Sequence, residues 1–212
     1  MTAYVFLAGD FAPGTMFESP SPDDMVVAVD GGYLHLRALG LWPKLLVGDF
    51  DSIPEDALQE AIAVGVETLR WPVHKDYSDA ELAIDTLHKQ GYTHIVLYGA
   101  LGGERFDHAL ANVWSLYLWK ERGVNVEVRH QGLHMRMISN ETVDLCGKAG
   151  DIVSLLPFSP VVHAVTIHGF RYPLVNATLH AGESWSLSNE MACSRARIML
   201  GSGMLAVLHQ HA

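Results

Sequence analysis

MVVAVDGGYLHLRALGLWPKLLVGDFDS, residues 25–52, reads as one strand–helix–strand unit with an acid- and glycine-rich turn after each strand. Met25–Val29 is a short, continuous apolar run, the pattern of a strand covered on both faces. A helix candidate follows over Tyr33–Leu39 and stops at Gly40. Lys44–Val47 then supplies a second strand.

The same alternation extends in both directions. Further strand candidates are Ala3–Ala8, Val66–Leu69, His94–Tyr98 and Val124–Arg129. Helix candidates are Pro54–Val64, Ser78–Gln90 and Glu104–Arg122, followed by Gly65, Gly91 and Gly123, where a helix end favours the left-handed conformation. The order predicts an α/β fold over residues 1–131, a mostly parallel sheet flanked by helices. After about Gln131 the helical period fades. Runs such as Asp151–Leu155, Val161–Ile167 and Met204–Leu208 are separated by Gly, Pro, Asn and Ser, which predicts a small all-β, sandwich-like domain over residues 132–212.

Composition bounds the function. Of 212 residues 49% are hydrophobic and 18% charged, enough apolar material for a buried core. A net charge of −10 excludes a sequence-independent nucleic-acid binder, which needs a positive footprint. A small anionic substrate stays admissible if a metal bridges the charges. Cys146 and Cys193 sit in no CxxC motif and read as buried free thiols in a reducing compartment. The opening MTAYVFLAGD has no basic residues before its apolar run, so it reads as a first strand and not a signal peptide. No apolar stretch reaches the roughly 20 residues a membrane span needs, which gives the expectation of a cytoplasmic protein without a membrane partner.

In a parallel sheet, ligands bind beyond the carboxyl ends of the strands, and there the polar residues collect. Asp30-Gly31-Gly32 follows the second strand, Gly48-Asp49-Phe50-Asp51-Ser52 the third, and Gly99 to His108 the fifth. On extended backbone Asp49 and Asp51 would point to one side. Carboxylates so close repel and favour a bound cation, for which Mg2+ is suited. The same run also reads as a turn, because Asp and Ser favour turns and Pro54 follows.

Ser78 and Glu81 have capping-box spacing, with Asp79 in the first helical turn. Beside a sheet edge, that helix start could bind an anion, with Lys75 reaching phosphate and Asp76 or Asp79 holding the metal. The Gly99–Gly103 loop lacks a P-loop lysine and the dinucleotide fingerprint, yet its glycines would let amides approach phosphate beside Arg105. His108 and Asn112 share a helix face. His108 alone reads as structural; with Arg105 and Asp107 it reads as part of a site. His74, His163, His168, His180, His209 and His211 show no zinc-ligand spacing and read as surface or satisfied core residues. Trp114, Tyr117 and Trp119 read as packing against the sheet or a partner.

These clusters, in this order, resemble the thiamine pyrophosphokinase family: DGGYLHLRALGLWPKLLVGDFDSI, KDYSDAELAI, GALGGERFDHALANV and WSLSNE. The resemblance implies an N-terminal ATP-binding domain, a C-terminal β-sandwich that binds thiamine, and a homodimer with active sites between subunits. It implies Mg2+ at Asp49, Asp51 and Asp79. Asp107 joins those three as a catalytic candidate, and Asp30, Gly31, Gly32, Lys75, Asp76, Ser78, Gly102, Gly103, Arg105, His108 and Asn112 become ATP contacts. The family usually has threonine at the position of Ser78, and Glu104 is inserted into its GGRxDH motif.

For thiamine the resemblance points to Trp185, Ser186, Ser188 and Asn189. Strand alternation would put both serines on one face and Trp185 on the other, where it is either a partner for the thiazolium or a sandwich core residue. The implied reaction is attack of the thiamine hydroxyl on the β-phosphorus of ATP, releasing AMP. Lys75 and Arg105 would offset charge, and Asp107 or Asp76 would take the proton. Two rivals are a phosphohydrolase of the haloacid dehalogenase type, using the first Asp of DFDS as nucleophile, and a non-catalytic thiamine or nucleotide sensor.

Overall fold

Met25–Val29 does form a strand, and it is parallel to the strand on either side. The computed structural model describes residues 1–12, 20–72 and 76–211, in two units, residues 1–131 and 132–212. In the first unit the strands are β1 (Ala3–Phe6), β2 (Met25–Val29), β3 (Leu45–Gly48), β4 (Glu67–Arg70), β5 (His94–Tyr98) and β6 (Asn125–His130). The helices are α1 (Gly32–Ala38), α2 (Glu55–Ala63), α3 (Asp79–Lys89) and α4 (Phe106–Glu121).

Every pairing among these strands is parallel, in the order β4-β3-β2-β1-β5-β6. The chain steps outward from β1 to β4, then returns to lay β5 on the other side of β1. Alternation along the strands sends Tyr4, Phe6, Ala28, Leu46 and Tyr98 to one face, packed on Tyr33 and Leu36 of α1 and on Leu58 and Ala61 of α2. Val5, Val27, Val47 and Leu97 are equally buried on the opposite face, where α3 packs on β2 and β3. Each such side chain contributes roughly 1.5–3 kcal/mol on burial, which is why these runs show no polar alternation.

All four helices end the same way. The residue after the cap is Gly40, Gly65, Gly91 or Gly123, each with positive φ. The amide beyond it reaches back to the last turn, as Val124 does to the Trp119 carbonyl at 2.9 Å, which closes a Schellman motif with an apolar residue.

The second unit holds β7 (Leu133–Ile138), β8 (Thr142–Cys146), β9 (Ile152–Pro157), β10 (Val161–His168), β11 (Leu174–His180), β12 (Asn189–Glu190), β13 (Arg195–Met199) and β14 (Leu205–Gln210). They form two antiparallel layers, β12-β9-β14-β7 and β11-β10-β13-β8. Val153, Leu155 and Val207 from one layer and Val143, Ile167 and Ile198 from the other share a core, the arrangement of a sandwich. The apolar runs named from the sequence are β9, β10 and β14. In β8 Thr142, Asp144 and Cys146, and in β13 Arg195 and Arg197, alternate with buried residues and are exposed, so neither strand carries a continuous apolar run. That alternation also corrects the reading of the cysteines: Cys146 falls on the outward face of β8, and both Cys146 and Cys193 are exposed.

Two glycine substitutions separate conformational from steric demand. A Cβ at Gly123 would meet nothing within 4 Å, whereas one at Gly32 would lie 2.0 Å from the Phe6 carbonyl oxygen. Gly123→Ala should therefore cost about 1 kcal/mol, from the left-handed backbone alone. Gly32→Ala should cost roughly 1–3 kcal/mol through displacement of α1 from β1. Thermal unfolding should show the larger loss of Tm for Gly32→Ala, and equal losses would contradict the close-packing account.

Candidate functional site

A cleft of about 590 Å³ opens in the first unit, beyond the carboxyl ends of β1, β2, β3 and β5. This is the point at which strand order reverses around β1, where a doubly wound sheet leaves a crevice. The loops after β1 and β5 lie backbone to backbone. Gly9 donates to the Gly99 carbonyl at 2.9 Å and Asp10 donates to that of Leu101 at 3.0 Å. A Cβ on Gly9 would fall 2.4 Å from the Gly99 oxygen, and one on Gly99 would fall 2.1 Å from the Leu7 oxygen. Only glycine permits this approach.

Asp49 and Asp51 both line the cleft, and of the two readings of this run the turn is the one the backbone adopts. Phe50 between them has φ 68° and a buried ring, so the run is a turn and not extended backbone. The turn is held twice: Asp49 Oδ1 accepts from the Asp51 amide at 3.1 Å, and Asp30 Oδ1 accepts from the Phe50 amide at 3.0 Å. A Cβ at Gly48 would lie 1.8 Å from that Asp30 oxygen. Asp30 thus lines the cleft and also braces the acidic turn.

Gly31 and Gly32 do not line the cleft. The Gly31 amide donates to Ser52 Oγ at 3.0 Å, and Gly32 allows α1 to pack against β1. In this structure Gly32 serves close packing, and neither glycine is brought to the cleft wall.

Ser78 caps α3, accepting from the Glu81 amide at 3.2 Å, and Ser78 and Asp79 face the cleft. Asp76 is exposed and outside the lining. Lys75 and His74 lie outside the described residues. Gly102, Gly103, Arg105, His108 and Asn112 complete the opposite wall. Asn112 donates to the Ala100 carbonyl at 2.9 Å, which ties the glycine loop to α4.

Asp107 is not part of the lining. It takes a two-point contact from Arg105, Nε to Oδ1 at 2.9 Å and Nη2 to Oδ2 at 2.7 Å. That guanidinium holds its carboxyl down at about 2. With both oxygens engaged in this way, Asp107 orients the Arg105 guanidinium in this structure. The sequence reading missed Leu7, Ala8, Gly9, Ser52 and Tyr77, all of which line the cleft. Gly9 was findable, being the glycine just beyond the first strand.

Asp49, Asp51 and Asp79 offer hard oxygen donors from two separate elements. They form no group as tight as the 4.8 Å cluster found elsewhere in the protein among the described residues. An all-oxygen donor set of this kind suits an ion such as Mg2+, which takes one or two carboxylates and fills its other positions with water and phosphate.

In the second unit the segment from Glu183 to Ser188 is a loop, so strand alternation does not apply. Ser186 is buried, and its Oγ donates to the Leu155 carbonyl at 2.6 Å. Asn189 is also buried; its amide donates to the Tyr172 carbonyl at 2.7 Å and accepts from the Tyr172 amide at 3.1 Å. Both side chains hold the loop. Ser188 is exposed, its backbone amide held by Ser154 Oγ at 3.0 Å. Trp185 is 52% exposed and donates to Glu183 Oε2 at 2.8 Å, so it is not a sandwich core residue.

Residues 20–128 match the family description "Thiamin pyrophosphokinase, catalytic domain", and residues 138–205 match "Thiamin pyrophosphokinase, vitamin B1 binding domain". A thiamine pyrophosphokinase of Bacillus subtilis is 29% identical over 86% of this chain and 85% of its own length. Among solved structures, a thiamin pyrophosphokinase of Geobacillus thermodenitrificans superposes with TM-score 0.86 at 30% identity, covering 100% of this chain and 98% of that one. The Bacillus subtilis structure gives TM-score 0.87 at 26% identity over 100% of both chains.

The Arg105–Asp107 contact makes a titration prediction. Lowered from the usual 3.8, the Asp107 carboxylate keeps its pairing above that value and loses it only as pH falls through about 2. Carboxyl-carbon NMR of Arg105→Ala should therefore show Asp107 titrating back near its ordinary value. An unchanged Asp107 titration would mean that something other than Arg105 holds it.

Proposed function

The chain belongs to the thiamine pyrophosphokinase family, and from that premise we infer how its own residues transfer diphosphate from ATP to the thiamine hydroxyl, releasing AMP. The observation that carries the assignment is the meeting of Asp49, Asp51, Asp79, Arg105 and His108 around one cleft at the switch point of the sheet.

Such chemistry depends on positioning and on offsetting charge. ATP lies with its phosphates against the Gly99–Gly103 loop, whose backbone is set by β1 on one side and by Asn112 on the other. Arg105, oriented by Asp107, aims its guanidinium at a phosphate oxygen. His108, one turn along α4, faces the same phosphates. Asp49, Asp51 and Asp79 would hold Mg2+, which when bound would offset the charge of the transferred group. The acidic cleft would otherwise repel a nucleotide. Trp185 and Ser188 are the exposed members of the thiamine set, and an indole face suits a thiazolium cation; Ser186 and Asn189 shape the loop that presents them.

We also place the active enzyme in a homodimer, with active sites between subunits. What supports this is a stripe on α4: Phe106, Leu110, Trp114 and Leu118, four residues apart, are 76%, 50%, 64% and 36% exposed. An apolar stripe on a helix that also lines the cleft suits a second copy. A cytoplasmic location suits the use of ATP and the exposed free thiols. Among the described residues no helix is long and apolar enough to cross a membrane. The phosphohydrolase and sensor readings have no support in the family match.

Asp51→Asn, folded as judged by circular dichroism, should lower AMP formation from ATP and thiamine at least about 100-fold. Near-normal turnover would remove the acidic turn from the mechanism. AMP release without thiamine would point to a hydrolase instead. Trp114→Glu should shift the protein from dimer to monomer in sedimentation velocity, and an unchanged dimer would place the interface elsewhere.

A further inference from the structure

We propose that Asp151, His209 and His211 form a nitrogen-rich metal site in the second unit, for a borderline divalent ion of the zinc type. None of these residues belongs to the ATP cleft or to the thiamine set. His209 lies on β14 and His211 just beyond it, and the two-residue spacing sends both imidazoles to one side. Asp151 precedes β9, and the antiparallel register Gln210↔Ile152 brings it level with His211. His134, the register partner of His209 on β7, stands with its ring 4.6 Å from that of His211.

The donor atoms converge. His209 Nε2 lies 2.9 Å from Asp151 Oδ2, and His211 Nδ1 lies 3.3 Å from the same oxygen. All three ligand atoms are within 4.8 Å of one another. A tetrahedral ion with ligands at about 2.0–2.2 Å has ligand–ligand edges of roughly 3.3–3.5 Å, so the His211 contact already fits and the His209 contact opens by about 0.5 Å. Two imidazoles and one carboxylate suit zinc and its neighbours, whereas Mg2+ prefers oxygen alone. His134 or water supplies the fourth ligand.

Burial adds a physical reason. Asp151 has no exposure and His209 only 4%. A carboxylate so placed needs compensating positive charge, which a metal provides directly. The backbone is shaped for it as well. Lys148 donates its amide to Asp151 Oδ2 at 3.1 Å, and a Cβ at Gly147 would lie 2.3 Å from that oxygen and 3.0 Å from His209 Nε2. Only glycine leaves the donors uncovered on that side. Sequence spacing hid the cluster because Asp151 and His209 are 58 residues apart.

The test uses the full chain, stripped with EDTA, incubated with Zn2+, desalted, and assayed for bound metal by plasma mass spectrometry. Wild type should retain one zinc per chain, as should the Asp49→Asn/Asp51→Asn double variant. His211→Gln, whose side chain is 20% exposed, should retain at least tenfold less. If His211→Gln fails to fold, wild type loaded with Co2+ takes its place: intense visible bands of a four-coordinate site are expected, and the weak spectrum of aqueous Co2+ would overturn the proposal. Wild-type retention below a tenth of an equivalent, or equal retention in His211→Gln, would show a His–Asp hydrogen-bond network without a metal. Loss of zinc in the double variant with retention in His211→Gln would assign the binding to the ATP cleft and overturn the proposal.

Discussion

Three backbone segments crowd the carboxyl end of β1 more closely than any side chain would allow. Gly32 brings the start of α1 onto the Phe6 carbonyl, Gly99 brings the turn after β5 onto Leu7, and Gly9 in turn meets Gly99. A Cβ at any of these positions would lie within 2.4 Å of a carbonyl oxygen, and backbone cannot yield as a flexible side chain can. This crowding draws α1, β1 and the β5 loop together. The crevice is left just outside them, where the strand order reverses.

The chemistry depends on that frame. Parallel strands deliver their following residues to one edge, so acids far apart in sequence come to line one cleft. Five carboxylates line the cleft, in Asp30, Asp49, Asp51, Asp79 and Glu104, an arrangement whose mutual repulsion a bound cation would relieve. Local devices hold the acids in place. Asp30 braces the turn at Phe50, Ser78 fixes the start of α3, and Asn112 ties the glycine loop to α4. Arg105 is oriented by Asp107 in the same way. Several residues with the appearance of ligands also act as supports, and the groups they support line the cleft.

The second unit repeats the lesson with different chemistry. Ser186 and Asn189 spend their polar atoms on Leu155 and Tyr172, leaving Trp185 and Ser188 outermost. Nothing local in WSLSNE distinguishes these roles. A serine that holds a loop and a serine that meets a ligand are identical until the partner strand is in place.

Whatever depends on near neighbours along the chain is legible in the sequence. Apolar runs of strand length, helices closed by glycine and a capping serine at residue 78 follow from backbone conformation and burial, which act over a few residues. The acid and glycine clusters after the strands, and their order, were likewise visible in one dimension. Tertiary structure alone decided which glycines serve packing, that Phe50 turns the Asp49–Asp51 run by burying its ring, that Arg105 occupies Asp107, and that Asp151 meets His209 and His211. Each of these depends on an approach of a few ångströms, and in the last the partners are separated by more than 50 residues, a distance over which sequence pattern carries no signal.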